Sequence, residues 1–418
     1  MAHSPIPPEE RIEVLDVLRG FALLGILLSN MKFFSQPIVG PFLGLPAEAS
    51  RLDTVAVAVV RFAVEGKFYT LFSLLFGFGL FVQMTRAEAH GVRFGRLYAR
   101  RLLVLGVIGA AHAFLLWSGD ILTNYAVLGF VLLAFRNRRP RTVLIGAAVF
   151  LLAPLAVNVV ITLVTTPGPA AGVERAARLT QLTARAAHDW HVYLLGTFAD
   201  VTAQRVRDYV LLFAALPIMV PGILCMFLTG LWVARRGLLH DLAGHRRLLA
   251  QIFAVCLPLG LAAAALLVVA PAPPARGAGW RVAVQLLYVV GDPLLCVAYA
   301  AGIALLVGRV RWRRWLAPLG AAGRMALTNY LMQSLVCTTL FYGYGFGLLG
   351  RVGAAGGAAL AIGVWSAQLA LSTLWLRRFR YGPAEWLWRS LTYLRAQPMR
   401  QRKPAAAMLE LGSRSIGQ

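Results

Sequence analysis

This chain is short of acidic residues. Its 418 residues carry 17 Asp and Glu against 41 Lys and Arg, and charged residues of both signs amount to 14%. A soluble domain is about a quarter charged. The low figure, with 59% hydrophobic residues and a mean hydropathy of +0.69, excludes an ordinary water-soluble globule and makes lipid the main solvent. Cysteine is scarcer still, at four. Cys225, Cys256, Cys296 and Cys337 all fall inside apolar stretches, without the close spacings that metal or redox sites require, and read as small buried hydrophobes. No P-loop, HExxH or GxSxG occurs, so nucleotide hydrolysis, zinc proteolysis and lipase-type chemistry lack support. Neither a metal nor a soluble domain is expected.

What the chain has in quantity is long apolar sequence. About ten stretches approach the ~20 residues that a bilayer crossing needs: 15–34, 68–84, 102–118, 121–135, 143–165, 209–234, 248–270, 282–307, 325–346 and 353–376. The net charge of +24 resembles a nucleic-acid signal, but its basic residues lie in short loops between these stretches, where cytoplasmic retention of Lys and Arg accounts for them. Basic clusters follow the second span (Arg86, Arg93, Arg96, Arg100, Arg101), the fourth (Arg136, Arg138, Arg139, Arg141), the sixth (Arg235, Arg236, Arg246, Arg247) and the eighth (Arg309, Arg311, Arg313, Arg314). The alternation predicts an all-α polytopic bundle over 1–376 with both termini cytoplasmic, embedded in lipid and without a nucleic-acid partner.

The opposite side then receives 35–60, the Gly119-Asp120 turn, 166–208, 271–281 and a Gly-rich turn near Gly350. Segment 166–208 has apolar residues at near-helical spacing among Arg175, Arg178, Arg185, His188 and Asp189, which suits an outer interfacial helix or a lid. Residues 377–403 combine Trp386, Trp388 and Tyr393 with Arg389, Arg395, Arg400, Arg402 and Lys403, a cytoplasmic interfacial composition. From 404 to 418 disorder is expected.

Polar groups at membrane depth are costly and mark the candidate sites. In the first span Asp16, Arg19 and Asn30 fall within an arc of about 60°, with Asn30 about 16 Å above Arg19. Either they anchor a helix end and bond a neighbouring helix, or they line a site. His112 and Asp120 flank a hairpin that would sit near the outer surface. The pair suits general-base work, although Asp120 is equally placed to cap the next helix and a buried His is commonly a satisfied core residue. Lys67 opens the second span, where it either snorkels or contacts a ligand; Ser73 and Gly77 follow at a spacing that lets helices approach closely. Gly291-Asp292-Pro293 places a carboxylate near mid-membrane, either in an ion pair or on a substrate. Arg324 opens the ninth span, in which Asn329 and Gln333 lie one turn apart and either bond a neighbouring helix or line a polar cavity.

The run Leu15-Asp16-Val17-Leu18-Arg19-Gly20-Phe21 with Asn30, the stretch from Gly66-Lys67-Phe68 to Phe76-Gly77, His112 to Tyr125, Gly323 to Ser334, and the closing Tyr381-Gly382-Pro383-Ala384-Glu385-Trp386 together resemble the YeiB-like, DUF418-containing membrane proteins. The likeness covers nearly the whole chain. Its Leu-Asp-x-x-Arg-Gly opening is similar to that of transmembrane acyltransferases, including heparan-alpha-glucosaminide N-acetyltransferase, which take an acyl group from cytosolic acyl-CoA to an acceptor across the membrane. By that resemblance Asn30 matches the active-site Asn. The acetyltransferase's catalytic His follows that Asn in the outer loop, and 35–50 here contains none, so His112 stands in as the base.

The resemblance implies a multi-pass protein of the bacterial inner membrane, with acyl-CoA, acetyl-CoA first, as donor and a small-molecule acceptor; a homodimer is compatible with it. On this reading Arg19 and Arg324 hold the CoA phosphates, His112 deprotonates the acceptor, Asp120 orients His112 and Asn30 steadies the oxyanion. Two alternatives stay open. One is a transporter using Asp292, Asn329 and Gln333, for which no inverted repeat is evident; the other is a non-catalytic scaffold.

Overall fold

The computed structural model describes residues 11–43, 49–89, 91, 94–164, 171–214, 216–269 and 277–401. Arg93, Arg402, Lys403 and the tail 404–418 lie outside the described residues. Fifteen α-helices follow one another: α1 (Glu13–Phe34), α2 (Arg51–Ala63), α3 (Lys67–Ala89), α4 (Phe94–Ala111), α5 (Leu122–Ala134), α6 (Pro140–Val164), α7 (Ala171–Leu195), α8 (Phe198–Ala214), α9 (Leu216–Arg235), α10 (Arg246–Val269), α11 (Ala278–Val307), α12 (Val310–Arg324), α13 (Ala326–Phe341), α14 (Ala354–Trp375) and α15 (Pro383–Tyr393). Among the described residues the only extended pairing is an isolated bridge between Phe379 and Arg400.

Among the described residues, seven helical stretches are long and apolar enough to cross a membrane: 13–34, 51–89, 94–116, 140–164, 246–269, 278–307 and 354–375. Three of the ten expected spans are shorter than their hydropathy suggested. α5 has 13 residues and α13 has 16. The expected span 209–234 falls partly on α8, which runs to Ala214, and partly on α9, which begins at Leu216, residue 215 lying outside the described residues. The segment 35–60, read as a connection, contains α2. Its start was legible: Ser50 accepts the Asp53 N–H at 3.1 Å while Asp53 takes the Ser50 N–H at 3.1 Å, a capping box.

Burial sorts the helices into centre and rim. Of the apolar window in α1, 61% is buried, against 11% in α6 and 17% in α14, so α1 is the axis and the others leave a face for lipid. α1 crosses α12 where glycines meet: a Cβ on Gly20 would overlap the Leu319 carbonyl, and one on Gly323 the Asp16 carbonyl. The Ser73–Gly77 stripe does the same for α3 and α9, with Gly77 against the Phe227 backbone and Gly230 against Leu74. Close backbone approach of this kind drives helix association in lipid.

Candidate functional site

Two polar layers occupy the two ends of the central helices. The first surrounds Asp16. Its carboxylate accepts from Arg11 Nε at 3.1 Å and from Arg19 Nη1 at 3.2 Å. Arg324, the last residue of α12, lies within electrostatic range of Asp16 and Arg11, and Arg19 within range of Arg389, which neighbours Arg101. Aromatic side chains hold two of these cations in place: Arg101 stands 3.6 Å from the Trp388 ring centroid and Arg389 4.7 Å from that of Tyr381. The Nε of Arg324 is buried without a hydrogen-bond partner among the described residues. Arg19 and Arg324, singled out from sequence, are thus brought together; Arg11, Arg101 and Arg389 join them unforeseen. The C-terminal signature positions this layer. Glu385 accepts the Leu327 N–H at 2.7 Å and the Thr328 N–H at 3.1 Å, capping α13 from another helix.

The second layer is built on a deformed helix end. After Ala111 the chain makes a π-turn over His112–Leu116, a distortion that re-aims side chains and recurs at functional sites. His112 is 2% exposed, Asp120 6% and Ser334 1%. His112 Nδ1 lies 2.9 Å from Asp120 Oδ1, and Nε2 lies 2.8 Å from Ser334 Oγ on α13. A carboxylate only accepts, so Nδ1 donates to Asp120; with the ring neutral, the Nε2 lone pair is then left to accept the Ser334 hydroxyl proton. The other Asp120 oxygen accepts the Thr123 N–H and hydroxyl, each at 2.7 Å. Capping and orienting, alternatives in the sequence, are therefore both satisfied, one by each oxygen. The sequence reading did not single out Ser334; only the fold carries it to His112.

This layer is covered by protein. The 13 residues of α5 rise about 20 Å, short of a ~30 Å hydrocarbon core, and α8 covers the turn. Arg205 on α8 is fully buried. It donates to the Leu115 carbonyl at 2.9 Å and to the Tyr344 hydroxyl at 2.8 Å. Above it, Gln204 donates to Asp189 and Asp208, both at 2.9 Å, and the Tyr193 hydroxyl donates to Asp208 at 2.6 Å. Burial pushes Asp208 up to about 6, and raises Asp189 as well. Helices α7 and α8 thus contribute a packed cap over the site.

The remaining candidates sit elsewhere. Lys67 is 3% exposed, so it does not snorkel; its Nζ lies 3.0 Å from Asp292 Oδ1 and donates to the Arg61 carbonyl at 3.1 Å. Gly66, at φ +82°, lets the chain turn against Asp292, where any side chain would collide. Asn329 donates to the Ala322 carbonyl at 3.1 Å and to Ser372 at 3.0 Å, while Gln333 donates to Gln368 at 2.9 Å. They bond α13 to α14. Asn30 is half-buried on the stripe of Leu27 and Phe34 and makes no hydrogen bond among the described residues. The described residues contain no cluster of three or more His, Cys, Asp or Glu that could hold a metal ion.

No solved structure matches the chain. The family described as "Protein of unknown function (DUF418)" matches residues 233–395. An uncharacterized protein of Bacillus subtilis (strain 168), YxaH, is 39% identical over 417 residues, covering 95% of this chain and 98% of that protein. An uncharacterized protein of Escherichia coli (strain K12), YeiB, is 30% identical over 407 residues, covering 93% of this chain and 98% of that protein. Likeness of that extent, end to end over a multi-pass helical bundle, makes the chain a member of the DUF418-containing, YeiB-like membrane proteins.

Proposed function

We propose that this protein moves an acyl group from cytosolic acyl-CoA to a small-molecule acceptor on the outer side of a bacterial inner membrane. In this reading the bundle crosses ten times, counting short α5, α9 and α13, and both termini and the arginine layer are cytoplasmic. The observation that carries it is the Asp120–His112–Ser334 relay, reached from the arginine layer along three helices. Arg101 to His112 is about 16 Å of α4, and Ala326 to Ser334 about 12 Å of α13; α1 runs the same way, ending with the Phe34 ring 4.2 Å from that of Trp117. A pantetheine arm spans such a gap.

Arginine is suited to the donor end because its planar fork binds phosphate bidentately and stays charged when desolvated. Arg19 and Arg324 hold the CoA phosphates, with Arg11, Arg101 and Arg389 adding field. His112 is the general base, its tautomer fixed by Asp120. Asn30, with its amide uncommitted, supports the oxyanion or the acceptor. The transporter reading gains no support from its own residues, since Asp292, Asn329 and Gln333 are each engaged by other side chains.

Binding of acetyl-CoA and longer acyl-CoAs to detergent-purified protein tests the proposal. Saturable binding, weakened at least about tenfold in Arg19→Ala and in Arg324→Ala, is the expected result. No binding of any acyl-CoA overturns it.

A further inference from the structure

Several hydroxyls inside the helices of this protein turn back on their own backbone, although Thr328 and Thr123 reach carboxylates instead. Ser73 donates to the Tyr69 carbonyl at 2.8 Å, Thr229 to Cys225 at 2.8 Å and Thr373 to Leu369 at 2.7 Å, the usual i−4 bond of Ser and Thr in apolar helices. Ser334 departs from that habit. Its hydroxyl, 1% exposed, goes across to His112 Nε2 at 2.8 Å instead. A buried serine whose proton faces an imidazole nitrogen, with the opposite nitrogen held by a carboxylate, is an activated nucleophile by its chemistry.

Two further groups point the same way. The Tyr330 ring centroid lies 4.9 Å and that of Trp117 6.4 Å from the His112 ring. The Tyr330 hydroxyl and Trp117 Nε1 are both buried and donate to no acceptor among the described residues, the Tyr330 oxygen lying within reach of the Ile121 N–H. Tyr330 is also one turn before Ser334 on α13, and within electrostatic range of Asp120. Buried donors without acceptors are rare and call for a reason. Two beside one imidazole suit a reaction in which an oxyanion forms between them.

We propose that Ser334 is the covalent acyl carrier of this protein, with Tyr330 and Trp117 as oxyanion donors. The inference rests on the acyl-CoA reading for its donor but not for its nucleophile. As the Ser334 Oγ bonds to the thioester carbonyl carbon, its proton passes to His112 Nε2. The carbon–sulfur bond then breaks, and His112 returns the proton to the departing sulfur, leaving acyl-Ser334 and free CoA thiol. In the second half the acceptor's O–H or N–H gives its proton to His112 while the acceptor attacks the ester carbon. The carbon–Oγ bond breaks and Ser334 recovers its proton. Donor and acceptor never need to be bound together.

The test uses the full chain in detergent and two reagents. A small fluorophosphonate reports an activated serine without any acyl donor; isotope-labelled acetyl-CoA reports the acyl step, with peptide mass mapping to locate the label. Both should mark Ser334, lose the mark in Ser334→Ala, and lose at least about a hundredfold in rate in His112→Ala. Ser334→Cys controls for folding, because its adduct becomes a thioester cleaved by neutral hydroxylamine while the wild-type ester persists. Fluorophosphonate labelling without any acyl transfer sustains the nucleophile and removes acyl-CoA as the donor. CoA release at undiminished rate in Ser334→Ala overturns the carrier and leaves the acyl-CoA reading standing. Absence of both labels overturns the carrier.

Discussion

The Lys67 ammonium and the Asp292 carboxylate meet 3.0 Å apart in a place almost closed to solvent, and such a pair is far more costly to break than to replace. Lys67→Met leaves a buried carboxylate uncompensated, so the melting midpoint in detergent should fall by the equivalent of about 3–5 kcal/mol. Lys67→Met with Asp292→Leu should recover most of it; a double variant as unstable as the single one argues instead for a ligand-binding role. Asp120 permits a cleaner separation. Asp120→Asn keeps an oxygen for the Thr123 N–H but no longer fixes the His112 tautomer, so acyl transfer should drop on the order of 10³- to 10⁴-fold with little change in melting. Equal loss of both would make Asp120 a cap alone. Residue identities were legible at this scale and partnerships were not. His112 and Asp120 are eight positions apart across one turn, whereas Ser334 is 222 positions from His112 and Asp292 225 from Lys67, separations that only helix packing resolves.

At the scale of elements, the cap formed by α7 and α8 carries its own pH dependence. Asp208 is fully buried beside Gln204, Tyr193 and Asp189, with Arg185 at 3.5 Å. Its ordinary value of 3.8 rises to about 6 through burial. The folded cap therefore holds the protonated form more tightly than the unfolded segment does. The stabilisation is full below the ordinary value and is lost as pH rises toward 6, a difference of about 3 kcal/mol. Amide exchange in α7 and α8, corrected for its intrinsic rate, should be slower at pH 4.5 than at pH 7.5, and Asp208→Asn should flatten the change. Faster exchange at the lower pH would show that the Arg185 pairing dominates. Near-helical apolar spacing announced this segment, whereas α2 lies in a stretch read as a connection although its Ser50–Asp53 capping box is written in the sequence. What the pattern could not announce is that α8 would run on to Ala214 and lie across the π-turn. Hydrophobic periodicity records which face is apolar but not which neighbour will cover it.

For the molecule as a whole, the side that the arginine layer faces decides which acyl donor can reach it. Basic clusters after alternate apolar stretches predict the cytoplasm, and the fold adds that their helix ends converge: Arg101 stacks on Trp388 of α15, and the α4 end at Gly95 abuts Arg136 beyond α5. The short α5 must therefore return to the same end from which α4 departs, so a hairpin of 13 returning residues counts as two passes whether or not it traverses the full bilayer. A green fluorescent protein fused after the C-terminus should fluoresce, because that fold matures in the cytosol, and a periplasm-dependent phosphatase at the same place should be inactive. Fusions between α4 and α5 should give the reverse, or neither signal if the turn stays buried under α8. An active phosphatase at the C-terminus would put the arginines outside, beyond the reach of cytosolic acyl-CoA. The serine relay would then need a donor from the opposite face, entering past Arg205 rather than past Arg19.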